Sequence, residues 1–302
     1  MRLSLRIRLR RWRLAVKRLL AKVMATLAQR LEASGVETPM LDARVLTGLA
    51  LGLDRPVYGH EDFALDDEAM ARLDAFAARR EAGEPVSRIR GWREFWSMRF
   101  ALGPACLDPR PDSETLVSAA IEKYRQRSGK SLHILDYGTG SGCLLLAVLA
   151  ECPDAKGTGV DQQAEAIAVA QSNARHHHLD DRVRMLVSNW CDALAAQEQA
   201  DLILANPPYI PSLEIKSLSR EVRCFDPIVA LDGGADGLMA WRELMPRIRQ
   251  RLAPDGIALL EIGQGQEHDL AALADAHGLS VGEVWHDLAG ILRVMAINKP
   301  NK

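Results

Sequence analysis

Two short stretches carry residue types that could do chemistry. The first is Asn206-Pro207-Pro208-Tyr209, which follows the apolar run Leu202-Ile203-Leu204-Ala205. A hairpin turn would favour Gly or Asp-Gly at such a strand end. Pro207 instead restrains Asn206 to extended geometry. Neither proline has a backbone N–H, so this edge presents carbonyl acceptors and few donors. The Asn206 side-chain oxygen adds one more acceptor, and Tyr209 adds a flat face. The set suits a planar –NH2 group, its hydrogens bonded to the Asn206 oxygen and the Pro207 carbonyl. An amide nitrogen is a poor nucleophile because its lone pair is delocalised. Holding both hydrogens out of plane favours pyramidal nitrogen and frees that lone pair for attack. Such catalysis works by positioning and electrostatics, with little need for a strong base.

The second stretch is Asp136-Tyr137-Gly138-Thr139-Gly140-Ser141-Gly142. Gly138, Gly140 and Gly142 allow a tight turn and a close approach of backbone to ligand. Thr139 and Ser141 lie between them. Asp161 ends the next predicted strand, where a carboxylate can accept from ribose hydroxyls. The spacing is G-x-G-x-G, unlike the G-x-G-x-x-G of dinucleotide folds. Asp136, two residues before the first glycine, would repel a pyrophosphate but tolerate a sulfonium. Ser188-Asn189-Trp190 follows the third strand of the series. Trp190 can pack on adenine and Asn189 can bond its edge; a core tryptophan is the plainer alternative. The arrangement resembles the S-adenosylmethionine site of Rossmann-like methyltransferases. In that reading the acceptor nitrogen attacks the sulfonium methyl in line, and its proton leaves afterwards.

Which elements must position these residues? From residue 131 onward, strands alternate with helices. Strands are expected at 132–136, 158–161, 183–188, 202–205 and 257–262, with two late strands near 279–286 and 291–297. Helices are expected at 142–151, 163–178, 237–252 and 266–277. The pattern predicts an α/β fold with a parallel sheet, helices on both faces and an antiparallel edge. Residues 21–90 read as helical from the spacing of Val23, Leu27, Leu31 and of Leu41, Val45, Leu46, Leu49. The aromatic cluster Trp92, Phe95, Trp96, Phe100 suggests a β-hairpin linker over 91–111.

The chain has 302 residues and a formal net charge of −2, which marks no global polyanion-binding field. Charge is uneven, however. Residues 1–18 hold eight bases and no acid, leaving 30 bases against 40 acids in the remainder. The first 20 residues form a basic extension, read as a dispensable tail; an upstream start, a targeting peptide, a membrane-surface helix or a polyanion-binding arm are the alternatives. Five cysteines without a Cys-x-x-Cys pair point to reduced thiols and a cytoplasmic setting. His176-His177-His178 are consecutive on a predicted helix and diverge, so no metal site is expected. Cys143 reads as a small hydrophobe.

Three further segments narrow the assignment. Gly91-Trp92-Arg93-Glu94-Phe95-Trp96-Ser97, followed by Pro109-Arg110-Pro111-Asp112-Ser113-Glu114, resembles the linker of the HemK/PrmC family. Asp226-Pro227, with Ala230-Leu231-Asp232-Gly233-Gly234-Ala235-Asp236-Gly237-Leu238, resembles the loop that follows Asn-Pro-Pro-Tyr in that family. Asp287-Leu288-Ala289-Gly290 with Arg293 resembles its terminal strands. The likeness spans about residues 20–298. It implies a Rossmann-like class I methyltransferase domain over 112–302 and a helical substrate-docking domain over 21–90. It implies glutamine-N5 methylation of the Gly-Gly-Gln motif in class 1 peptide chain release factors, with S-adenosylmethionine as cofactor. Gly138 to Gly142, Asp161, Asn189, Trp190 and Asn206 would then contact the cofactor. Asn206, Pro207, Pro208 and Tyr209 would hold the glutamine amide, with Arg110 and Glu114 nearby; Pro111-Asp112-Ser113 can equally be a helix start. Glutamine methylation of a ribosomal protein, DNA adenine-N6 methylation and a non-enzymatic binding module are the rival readings. A monomer without a membrane span or stable nucleic-acid binding is expected. Asp108 stands where the family usually has an apolar residue, Asn189 where it often has Asp, and Ser113 where Thr is usual.

Overall fold

A computed structural model describes residues 19–127 and 131–300. Most of the expected basic extension lies outside the described residues. The chain divides into two compact units, the first ending at Arg90 and the second beginning at Gly91.

The first unit is helical. Helix α1 covers 19–33, α2 Pro39–Ala50, α3 Asp67–Glu81 and α4 Val86–Arg90. Pro39 opens α2, where its missing N–H costs nothing. Asp66 caps α3 by accepting from Ala69 N at 2.8 Å. Leu27, Leu31, Leu46, Leu73, Ala77 and Ile89 converge on one apolar core. Leu20 is buried too, beside Met24 and Val57. A buried ion pair lies inside this unit: Arg80 Nε donates to Asp42 Oδ2 at 2.7 Å. Asp42→Ala removes a buried carboxylate from the Arg80 guanidinium and is expected to cost about 3 kcal/mol. A urea melt followed by far-ultraviolet circular dichroism measures it.

The second unit contains the sheet. Its strands are β3 (His133–Tyr137), β4 (Lys156–Asp161), β5 (Val183–Val187), β6 (Ala200–Ala205), β7 (Leu252–Glu261), β8 (Ser280–His286) and β9 (Leu292–Asn298). They lie in the order β5-β4-β3-β6-β7-β9-β8. Strands β3 to β7 are parallel, and β9 and β8 add antiparallel at the edge. The helices are α5 (Glu114–Gln126), α6 (Cys143–Glu151), α7 (Ala164–His176), α8 (Arg220–Phe225), α9 (Met239–Arg251) and α10 (Glu267–Ala276). Alternation along β6 separates two cores. Leu202 and Leu204 join Leu116, Leu145 and Leu146. Ile203 and Ala205 join Trp241, Leu244, Ile248 and Leu270. Both faces are therefore buried, as a central parallel strand requires.

Strands β1 (Trp92–Phe95) and β2 (Met98–Ala101) form a hairpin. Trp96 and Ser97 both have positive φ, the conformation of a two-residue type I′ turn. Expected as a linker, the hairpin is packed into this unit. Phe95 and Phe100 enter the core around Leu116, and His177 bonds the Arg99 carbonyl at 2.7 Å. Buried Asn173 donates to both Ala101 O and Ser141 O, at 3.2 and 2.9 Å. That one side chain ties the hairpin to the glycine loop.

Candidate active site

Strand order reverses between β3 and β6, because the chain leaves β3 towards β4 and only later returns on its other side. Loops from the carboxyl ends of β3 and β6 diverge there, and a crevice opens between them. A cavity of about 530 Å³ occupies this point. Among the predicted residues, Arg110, Gly138, Thr139, Gly140, Ser141, Asp161, Asn189, Trp190, Asn206, Pro207 and Pro208 line it. Gly142, Glu114 and Tyr209 do not. Gly142 caps α6. The Glu114 carboxylate accepts from Trp96 N at 2.9 Å and so holds the hairpin turn.

The glycine loop has the character of a cradle. Gly138 and Gly140 have φ of 69° and 54°, and a Cβ on Gly138 would meet nothing within 4 Å. The backbone is thus bare towards the cavity. Asp161 braces the loop, accepting from Gly140 N at 3.0 Å and Gln163 N at 2.9 Å. Beneath it, Asp136 is fully buried and accepts from Thr139 Oγ1 at 2.6 Å. Its Oδ1 has no partner among the described residues. Burial pushes Asp136 up to about 7 despite the Thr139 bond. Trp190 sits in the left-handed region with φ 50°. Its Nε1 donates to Glu243 Oε2 at 2.7 Å, and its edge meets Tyr137. Asn189 donates to Asp192 at 3.2 Å. Cys143 also lines the cavity, and desolvation pushes its thiol up to about 12, leaving little thiolate.

The Asn-Pro-Pro-Tyr segment is held from three sides. Asn206 Nδ2 donates to Ser113 Oγ at 3.3 Å, which leaves Oδ1 as the free acceptor of a planar carboxamide. Gln266 Nε2 donates to the Tyr209 carbonyl at 3.0 Å and to the Gly237 carbonyl at 3.3 Å. Its Oε1 accepts from Gly263 N at 3.0 Å. The Asp-Gly-Gly loop supplies the third side. A Cβ on Gly233 would fall 2.8 Å from Tyr209 Cα, and one on Gly237 only 2.4 Å from Tyr209 O. These glycines are there because two backbones touch. Burial, with Glu261 close by, pushes the Tyr209 hydroxyl up to about 12, so it stays protonated at neutral pH.

Sequence reasoning named Arg110, Asp226 and Asp108 but not their pairing, and it missed Glu243 and Glu261. Arg110 Nη2 donates to Asp226 Oδ2 at 2.5 Å, pinning the loop after β6 to the segment before α5. Asp226 Oδ1 also accepts from Asp108 N at 3.2 Å. The unusual Asp108 is buried and faces Arg93, 3.8 Å away. A hairpin cation thus accompanies the acid that replaces the family's apolar residue. Glu243 and Glu261 carried no local signal. Among the described residues no cluster of His, Cys, Asp and Glu could hold a metal ion, and no helix is long and apolar enough to cross a membrane.

Comparison with known proteins identifies the family. The PrmC N-terminal domain family matches residues 22–91, and the methyltransferase small domain family matches residues 112–220. The release factor glutamine methyltransferase of Rhodospirillum rubrum is 48% identical over 264 residues, 87% of this chain and 80% of that protein. The protein of the same name from Bradyrhizobium diazoefficiens is 46% identical over 277 residues, 91% of this chain and 93% of its own. Among solved structures, the hMettl16 catalytic domain in complex with the MAT2A 3′UTR hairpin 6 aligns with a TM-score of 0.54 at 13% identity, covering 79% of this chain and 84% of that one. At that identity the likeness speaks to fold alone. With near half of its residues shared along most of its length, the chain belongs to the HemK/PrmC family of release factor glutamine methyltransferases.

Proposed function

We propose that this protein methylates the side-chain amide nitrogen of the glutamine in the Gly-Gly-Gln motif of class 1 peptide chain release factors. The observation that carries the reading is the acceptor clamp. Asn206 is anchored through its own –NH2, and it lines the same cavity as the glycine cradle in a chain of this family. Bound S-adenosylmethionine would supply an electrophilic methyl: the C–N bond to the amide nitrogen would form as the C–S bond breaks, leaving S-adenosylhomocysteine and releasing one amide proton.

The residues suit that ligand. The bare backbone at Gly138 and Gly140 leaves room for a close approach. Asp161, raised by burial but held by backbone N–H groups, keeps lone pairs for ribose hydroxyls. Trp190 and Asn189 flank the adenine position. Asp136 places a buried carboxyl below the loop. At the acceptor end, Asn206 Oδ1 and the Pro207 carbonyl take the two amide hydrogens, and Pro208 and Tyr209 keep the edge rigid. Arg110 acts through Asp226 to hold the loop shut around them. The helical region over 21–90 serves to dock the release factor.

The test supplies labelled S-adenosylmethionine with four acceptors: a release factor, the same factor with its Gly-Gly-Gln glutamine replaced, a ribosomal protein, and DNA. Label is expected on the native factor alone. Equal label on the substituted factor, or label only on DNA, sinks the reading.

A further inference from the structure

Glu261 ends β7 beside the acceptor clamp and is 2% exposed. Leu260 pairs in register with Ala205, so Glu261 and Asn206 leave neighbouring parallel strands side by side, with Ser113 bonded to Asn206 at 3.3 Å; both groups favour the charged form of the carboxyl. Its Oε2 has no partner among the described residues. A buried carboxyl is a poor choice for strand packing, where an apolar residue would cost nothing. Its neighbours show what it can do. A carboxylate is acceptor-only, so it obliges both facing groups to act as donors. Ser113 must then turn its hydrogen to Glu261 and its lone pairs to Asn206 Nδ2. Asn206 must keep Nδ2 on this side and Oδ1 on the other. A neutral carboxyl can donate instead, and the order of the chain is no longer unique.

We propose that Glu261 is a positioning residue that sets, through Ser113, which way round the Asn206 carboxamide sits and hence that an oxygen faces the substrate. The proposal rests on the acceptor reading above. A flipped carboxamide would present –NH2 to –NH2 and could not hold the substrate amide.

Several groups surround this carboxyl. Ser113 and Asp112 face it from the turn before α5, Arg293 from β9, and Asn206 and Tyr209 from the loop after β6. Desolvation is the largest influence and raises its pKa to about 7; Ser113 and Arg293 oppose the rise, and Asp112 adds to it. The group is therefore ionised above that pH and neutral below it. Turnover should rise as pH climbs through that region. Asp136 titrates in the same range but lies under the glycine loop, so its loss should act on cofactor binding.

The experiment measures kcat and KM on a release factor for the full chain and for Glu261→Gln, Ser113→Ala, Ser113→Thr, the double variant of the first two, and Asp136→Asn, from about pH 5.5 to 9, bracketing the expected acid limb. Glu261→Gln is expected to lower kcat roughly 10- to 100-fold, the scale of a misplaced reacting group. Its KM for S-adenosylmethionine should stay within about twofold, and its acid limb should vanish. Ser113→Ala should match it, the double variant should be no worse than either, and Ser113→Thr, which keeps the hydroxyl, should turn over like the parent. If Glu261→Gln fails to fold, the Ser113 pair decides alone. Full kcat in Glu261→Gln or in Ser113→Ala overturns the proposal. So does an acid limb that persists in Glu261→Gln and disappears in Asp136→Asn, or a loss confined to KM for S-adenosylmethionine. Parent protein inactive on the release factor overturns both readings; an active parent with an indifferent Glu261→Gln overturns this one only.

Discussion

Asn206→Ala is expected to lower methyl transfer by at least about 10²–10³-fold, the scale on which single preorganised hydrogen-bonding groups act. Two losses combine. The substrate amide loses the acceptor that holds one of its hydrogens, and with it the geometry that exposes its lone pair. Ser113 Oγ loses the donor now 3.3 Å away. The surrounding frame should persist, because Ala205 below stays within the core and Pro207 still directs the chain. Binding of S-adenosylmethionine, read by calorimetry, should therefore survive in weakened form while labelled product disappears. Full turnover by this variant would refute the clamp.

The second large effect is expected from Gly237→Ala, a change of one methyl group in a loop outside the cavity lining. The added carbon would lie 2.4 Å from the Tyr209 carbonyl oxygen and 2.7 Å from Gln266 Nε2. Side-chain motion can relieve the second contact but not the first, which is backbone. The residue also has φ 76°, where a non-glycine costs roughly 1–2 kcal/mol. Relief requires the Asn-Pro-Pro-Tyr segment to move. Displacing a reacting group by about 1 Å can cost 10²-fold, so kcat should drop by that order. The glycine cradle is on another strand and shares none of these contacts, so KM for S-adenosylmethionine should barely change. A parallel loss of cofactor affinity and turnover would instead point to unfolding of the whole unit.

How much of this was legible in the sequence depends on distance along the chain. The alternating strands and helices follow from local pattern: apolar runs such as Leu202 to Ala205 could only be buried on both sides, and glycines marked where β3 turns into α6. The cradle was readable for the same reason, since Asp136 to Gly142 is one contiguous stretch. Tertiary closure was not readable. Gln266 meets the carbonyl of Tyr209, 57 residues away, and Arg110 meets Asp226, 116 residues away. No periodicity announces either. Glu261 looks like any polar residue closing a strand until Ser113 and Asn206 are brought beside it. Adjacency along the chain is no guide to a side chain's partner either. Glu114 follows Arg110 by four residues and was grouped with it, yet its carboxylate holds the hairpin turn at Trp96. Trp96 and Ser97 themselves read as ordinary hairpin residues, and nothing local suggested that an acid on α5 would cap their turn.

Strand β6 carries one more consequence. Ala205 is its last core residue and Asn206 the first residue of the cavity, with no spacer between them. One Cα–Cα step, about 3.8 Å, separates packing from chemistry. A larger residue at Ala205, or a one-residue slip of the strand, would move the amide as surely as a change at Asn206 itself. Mutational tolerance along β6 should therefore track catalysis and not only folding. The strand and the clamp are inherited as a single part.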